Sequence, residues 1–122
     1  MKDLTVQLED RPGTLADLAE ALGNAGINIE GIAGFAVHGV GGLVHLLVEE
    51  GAAAKAALEA AGVGIEHEAD AVVVDVKDQP GELGRIARRI ADAGANLTAG
   101  YLATHNRLVL LSDDAGKVRA AL

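Results

Sequence analysis

The chain contains one segment of twenty residues twice, and this repetition restricts the fold more than any other feature. Residues 10–29 align with residues 78–97 at a constant offset of 68, without a gap. Eight of the twenty aligned positions are identical: Asp10/Asp78, Pro12/Pro80, Gly13/Gly81, Leu15/Leu83, Ala19/Ala87, Ala25/Ala93, Gly26/Gly94 and Asn28/Asn96. A chain made of two copies of one unit is expected to fold as two similar modules.

Both copies predict the same opening elements. Residues 4–9 and 72–77 place apolar side chains at every second position, which predicts a half-buried strand in each copy. An Asp-x-Pro-Gly turn then ends each strand, because proline lacks an N–H group and glycine accepts backbone angles that other residues avoid. Leucine, isoleucine and alanine at helical spacing predict amphipathic helices over residues 15–25 and 83–93.

The first copy continues through a strand pair, an alanine-rich helix and a last short strand. The second copy has a strand pair around a tight His105-Asn106 turn and ends in a helix that begins near Asp113. After its first helix, the first copy is predicted to have strands at residues 28–37 and 43–49, a helix at 52–61 and a last strand at 63–68. The second copy is predicted to have strands at residues 96–104 and 107–111. We therefore predict an α+β fold of two ferredoxin-like βαββαβ modules, residues 1–69 and 70–122, the second lacking its last strand.

These residues also carry a resemblance to a known family. A strand ending in Asp-x-Pro-Gly, a helix, and Gly-x-Asn-Ile/Leu at its end resembles the ACT domain, a small ligand-binding module of amino-acid metabolism. The chain is thus similar to a tandem ACT-domain protein. The resemblance implies modules that pair side by side or face to face and that bind amino acids where two modules meet.

The resemblance also implies a ligand site at the turn and at the asparagine of each copy. Backbone N–H groups at the start of the helix can bind a carboxylate, an aspartate can accept from an ammonium group, and an asparagine amide can do both. A purely structural interpretation stays open, in which Pro-Gly is a turn, aspartate a cap and asparagine a left-handed residue. The candidate ligand-binding residues are Asp10, Arg11, Pro12, Gly13, Thr14, Asn28, Ile29, Asp78, Gln79, Pro80, Gly81, Glu82, Asn96 and Leu97.

Composition argues against several other functions. A net charge of -8 and only two aromatic side chains disfavour nucleic-acid binding, and the absence of cysteine excludes disulfides and thiolate metal sites. The four histidines match no recognised metal-ligand spacing, and no nucleophile, phosphate-loop or dinucleotide motif is present, so we expect neither an enzyme nor a metal or other cofactor. Without an export signal or a membrane span, a cytoplasmic location is expected.

The sequence leaves two classes of function open. One is an amino-acid-binding sensor or regulatory protein that acts through ligand-dependent conformation or assembly, with an enzyme of amino-acid metabolism as its partner. The alternative is a ligand-free interaction module that holds a partner enzyme or itself together. The missing last strand leaves one edge of the strand over residues 72–76 open. We expect that edge to be covered by the first copy's sheet, by an exchanged strand or by a second chain, and favour a homodimer.

Overall fold

The computed structural model describes residues 1–122 and contains seven strands and four helices. In chain order these are β1 (Lys2–Leu8), α1 (Thr14–Asn24), β2 (Gly31–Val37), β3 (Gly41–Val48), α2 (Gly51–Ala60), β4 (Gly64–Asp70), β5 (Val72–Asp75), α3 (Glu82–Asp92), β6 (Leu97–Ala103), β7 (Arg107–Ser112) and α4 (Ala115–Ala121). The predicted order of elements is confirmed in both copies, and the second copy ends in a helix without a fourth strand.

Glycine fixes both ends of the repeated helices. Gly13 and Gly81 precede α1 and α3 with φ angles of 94° and 88°, in the left-handed region that disfavours other residues. Gly26 and Gly94 follow the same helices with φ angles of 74° and 79°. The repeated glycines therefore direct the chain into and out of equivalent helices.

The strands form one sheet in the order β4-β1-β3-β2-β6-β7-β5. β1 and β3 lie at the centre of the first unit, and β4 covers the other side of β1. The two units join between β2 and β6, where the only residue pair is Gly31 with Ala103. A backbone hydrogen bond of 3.0 Å from Thr104 N to Glu30 O extends this junction.

The outer edge of β5 is open within the chain, which excludes two of the three expected covers and leaves a second chain as the remaining one. β5 pairs only with β7, so neither the first unit's sheet nor an exchanged β4 covers its other edge within the chain. β4 and β5 occupy opposite ends of the strand order, although only Ala71 separates them along the chain. The sheet must therefore curve until its two edges approach each other, and this curvature keeps β4 in its own unit.

Each unit packs its helices on one face of its strands. The first core joins Leu18 and Leu22 of α1 and Leu58 of α2 to buried side chains of β1 and β3. The second core joins Ile86 and Ile90 of α3 and Val118 of α4 to β5 and β7. We call this side of each unit's strands the helix face.

A third core lies on the opposite side, where the strands of the two units face each other. It is formed by Leu47, Ala71, Tyr101, Val109 and Leu111, and we call it the inter-unit core. Alternation along β3 explains it, since Leu46 and Val48 belong to the helix face and Leu47 to the other. Strands β3 and β7 thus contribute buried side chains on both faces. No helix is long and apolar enough to cross a membrane.

Candidate functional site

The two Asp-x-Pro-Gly turns each open onto a cleft between the first helix and the second strand of their unit. The first cleft has a volume of about 350 Å³ and lies beside Asp10, Arg11, α1 and β2. The second cleft has a volume of about 630 Å³ and lies beside Asp78, Gln79, α3 and β6. Every residue lining the first cleft except Ala36 has its repeat equivalent in the lining of the second. The repeat therefore duplicates a cleft as well as a fold.

The second cleft combines an apolar wall with a polar rim. Its larger apolar side chains are Val76, Leu83, Leu97, Leu102, Leu108 and Leu110. Its rim carries Lys77, Asp78, Gln79, Glu82, Thr98 and Asn106. A cleft with an apolar wall and a few polar groups is typical of a small-molecule site, and the volume lies in the ordinary range for one.

One carboxylate of the second cleft is already engaged. Glu82 is buried and accepts a hydrogen bond of 2.7 Å at Oε1 from Arg85 Nη2. This hydrogen bond is the main reason that the pKa of Glu82 is lowered from its ordinary value. Lys77 and Asp78 make no side-chain hydrogen bond or ion pair within the chain. Their charges remain available to a ligand.

Strand β6 gives the second cleft an unpaired backbone edge. Residues 97–103 all line the cleft, yet β6 meets β2 only at Ala103. The backbone of residues 97–102 therefore has no strand on the side away from β7. Backbone N–H and C=O groups along such an edge can bind the polar ends of a small molecule.

The first cleft is smaller and more occupied by its own charges. Arg11 Nε donates to Glu9 Oε2 at 2.6 Å, and Thr14 Oγ1 donates to Glu9 O at 2.9 Å. Ile32 and Phe35 stand where the second cleft has Gly100 and Ala103. At other equivalent positions the difference is reversed, since Gly34 of the first cleft corresponds to Leu102 of the second.

The structure brings some of the predicted ligand residues into these clefts and places others elsewhere. Those in the first cleft are Asp10, Arg11 and Thr14, and those in the second are Asp78, Gln79, Glu82 and Leu97. The residues that do not line either cleft are Pro12, Gly13, Pro80, Gly81, Asn28, Ile29 and Asn96. The glycines shape the turns, and Ile29 packs against the first core.

The two asparagines have separate structural partners. Asn28 lies at a third, acidic cavity of about 150 Å³ and donates its amide to Glu30. Glu30 also accepts from Arg107 Nη2 at 3.2 Å, which ties the first unit to the second. The hydrogen bond from Asn28 is the largest cause of the lowered pKa of Glu30, and the hydrogen bond from Arg107 is the next. Asn96 accepts at its backbone oxygen from Ser112 Oγ at 2.7 Å.

Sequence reasoning missed a buried polar cluster between the two units. Asp3 has an exposed fraction of 0% and accepts a hydrogen bond of 2.6 Å at Oδ2 from the Tyr101 hydroxyl. His45 Nδ1 lies 3.0 Å from Asp3 Oδ1, and Thr5 Oγ1 donates to the same oxygen at 3.3 Å. Thr5 is buried here, although the strand pattern predicted that only the apolar side of β1 would be buried. Burial and the Asp3 carboxylate raise the pKa of Tyr101.

This cluster distinguishes the two copies. The positions equivalent to Asp3 and Thr5 are Ala71 and Val73, which both pack in the inter-unit core. Tyr101 is equivalent to Ala33 and is the only tyrosine of the chain. The only sequence signal was therefore a set of polar residues at places where the other copy is apolar.

Comparison with known proteins agrees with this fold. Residues 2–61 match the family model of the ACT domain. A protein from Bacteroides thetaiotaomicron superposes with a TM-score of 0.85 at 22% identity, over 99% of this chain and 85% of its own. The ligand-free regulatory subunit of aspartate kinase from Thermus thermophilus gives 0.72 at 21% identity, over 98% and 88%. The corresponding subunit from Thermus flavus gives 0.66 at 20% identity, over 98% and 88%.

A comparison with curated protein sequences finds no significant match. The family match covers nearly the whole first unit, and the second unit repeats its strands and helices in the same order. Residues 2–61 of the first unit are therefore similar to an ACT domain, and the second unit has the same order of strands and helices up to its last helix. The solved structures share this fold at low identity, so their likeness establishes the architecture alone.

Proposed function

We propose that the protein is a regulatory subunit or sensor that binds a free amino acid at its clefts and has no catalytic activity of its own. The observation that carries this proposal is the duplicated cleft beside the Asp-x-Pro-Gly turns. The regulatory subunits among its structural relatives support it. Its output is a change of conformation or assembly, which requires the ligand to bind one state more tightly than the other.

The polar groups of the clefts suit a zwitterion. Asp78 in the second cleft, or Asp10 in the first, can accept from an ammonium group. The unpaired backbone of β6 offers N–H donors to a carboxylate. We keep the turn residues, Asn28 and Asn96 in the proposed ligand region, because their loops neighbour the clefts.

We further propose that the protein works as a homodimer in the cytoplasm, alongside an enzyme of amino-acid metabolism. The outer edge of β5 is unpaired in a single chain. Such edges are sites for pairing with another strand. The repeated helices carry opposite charges at equivalent positions, with Asp17 matched by Arg85 and Glu20 by Arg88. A two-fold arrangement that places α1 beside the partner's α3 would pair these charges.

Thermal unfolding in the presence of each of the twenty amino acids tests the ligand. A ligand at about 100 times its Kd adds roughly 2.7 kcal/mol, which raises the melting temperature of a domain of this size by several degrees. The amide and the N-acetyl derivative of any active amino acid are the controls, because each lacks one of the two charges. If no amino acid raises the melting temperature, the proposed function is wrong.

A second candidate function is a ligand-free interaction module. The exposed apolar side chains of Phe35, Val37 and Val40 on the first hairpin favour it. Light scattering distinguishes the two, since the regulatory protein should change its mass or shape when the amino acid is added. A constant mass near 12.4 kDa at all concentrations would exclude the homodimer.

A further inference from the structure

The wall of the second cleft points to the kind of side chain that a bound amino acid would carry. Nine of its sixteen lining residues are hydrophobic. Leu83 of α3 and Leu102 of β6 border the cleft from the helix and from the strand. Their exposed fractions are 59% and 70%, so both side chains are largely open to water. A ligand with an apolar side chain would remove both leucines from water.

The charges at the rim match the main-chain ends of an amino acid. Lys77 and Asp78 make no side-chain hydrogen bond or ion pair within the chain and supply one positive and one negative group. The charge of Glu82 is already compensated by its ion pair with Arg85, so Glu82 attracts a second ammonium group less strongly. A lysine or aspartate ligand would therefore place an unpaired charge against the leucine wall, which is unfavourable.

The size of the cleft favours a large side chain and separates the two copies. The second cleft, at about 630 Å³, has Gly100 and Ala103 where the first, at about 350 Å³, has Ile32 and Phe35. The first cleft also holds the ion pair of Arg11 and Glu9. The second unit therefore offers the roomier of the two clefts.

We infer that the second cleft selects amino acids with a large apolar side chain, such as leucine or phenylalanine, and that each chain binds one such molecule. This inference rests on the proposed function, because it specifies the ligand of the same site. In the bound state the side chain lies between Leu83 and Leu102, and Lys77 and Asp78 face the carboxylate and the ammonium group.

Calorimetric titration of the full chain with leucine, phenylalanine, lysine and threonine tests the inference. Leucine or phenylalanine should bind with one molecule per chain and at least about tenfold more tightly than lysine or threonine. If lysine or threonine binds as tightly, the inference is wrong and the proposed function stands. If none of the twenty amino acids binds, the proposed function fails and the inference fails with it.

Matched variants locate the site. Leu83→Ser and Leu102→Ser should each weaken leucine binding about tenfold, because each removes apolar surface that the ligand buries. Leu15→Ser is the control, since Leu15 is the repeat equivalent of Leu83 in the first cleft and is 52% exposed. It should leave the affinity unchanged.

Light scattering on the same variants separates ligand binding from contact between chains. If Leu83→Ser or Leu102→Ser alters the mass of the assembly but not its affinity for leucine, the two leucines serve an interface and the inference is wrong. Equal weakening by Leu15→Ser would also overturn it, since the second cleft would then have no special role.

Discussion

Removing the hydroxyl of Tyr101 should destabilise the contact between the two units. Tyr101→Phe keeps the ring in the inter-unit core but takes away the donor that lies 2.6 Å from Asp3 Oδ2. The carboxylate of Asp3 is fully buried, so water cannot replace that donor. Hydrogen bonds to charged groups contribute about 1.5–3 kcal/mol, and we expect a loss of about 2 kcal/mol. For a chain of 122 residues this corresponds to a decrease of about 8 °C in the melting temperature.

Denaturant unfolding of Tyr101→Phe, Asp3→Ala and the double variant measures the interaction directly. The two single changes should be less than additive by about 1 kcal/mol or more, since either one already breaks the same hydrogen bond. The contacts of His45 and Thr5 with Asp3 are lost equally in the Asp3 variant and in the double variant, so they cancel in the comparison. The reasoning is refuted if Tyr101→Phe changes the free energy of unfolding by less than about 0.5 kcal/mol, or if the two changes are additive.

The remaining predictions use the same junction. The pKa of Tyr101 is raised in the folded state, so the contribution of its neutral hydroxyl to stability is complete below pH 10.0. Above that pH the free energy of unfolding decreases by about 1.4 kcal/mol per pH unit. Alkaline titration followed by tyrosinate absorbance should show ionisation only upon unfolding, and Tyr101→Phe should lack this decline. Gly31→Ala would place a Cβ atom 2.8 Å from that of Ala103 and should cost about 1–3 kcal/mol in denaturant unfolding. Gly23→Ala, which meets no atom within 4 Å, should be neutral or stabilising. The pKa of Glu30 is lowered in the folded state, so its ionised carboxylate stabilises the fold above pH 4.5, its ordinary pKa. This contribution is lost when the pH falls below that value. Asn28→Ala should raise that pKa in an NMR titration and weaken this acid sensitivity.

The sequence determined the local elements because they depend on neighbouring residues. Alternation along residues 4–9, the Pro-Gly turns and helical spacing specify strands and helices over a few residues at a time. The offset of 68 showed that both units have the same order of elements, and Asp10 and Asp78 marked the turns beside which the clefts form.

Only the tertiary structure decided which faces and edges of the two units meet. Sequence alternation separates two faces of a strand but does not say that the second face is also covered. Asp3 was therefore not predicted to be buried, although its carboxylate accepts from Tyr101, 98 positions away, and Thr5 is buried beside it. The pairing of Gly31 with Ala103 likewise joins residues that no local pattern connects.

The clefts show the same division. Their turns follow from the repeat, but their sizes depend on side chains of β2 and β6 that are brought beside the helices only by folding. Gly100 and Ala103 at one cleft, and Ile32 and Phe35 at the other, occupy equivalent positions whose importance no spacing rule reveals. Packing between distant segments sets the volume, and distant packing is the part of the physics that a local sequence pattern does not contain.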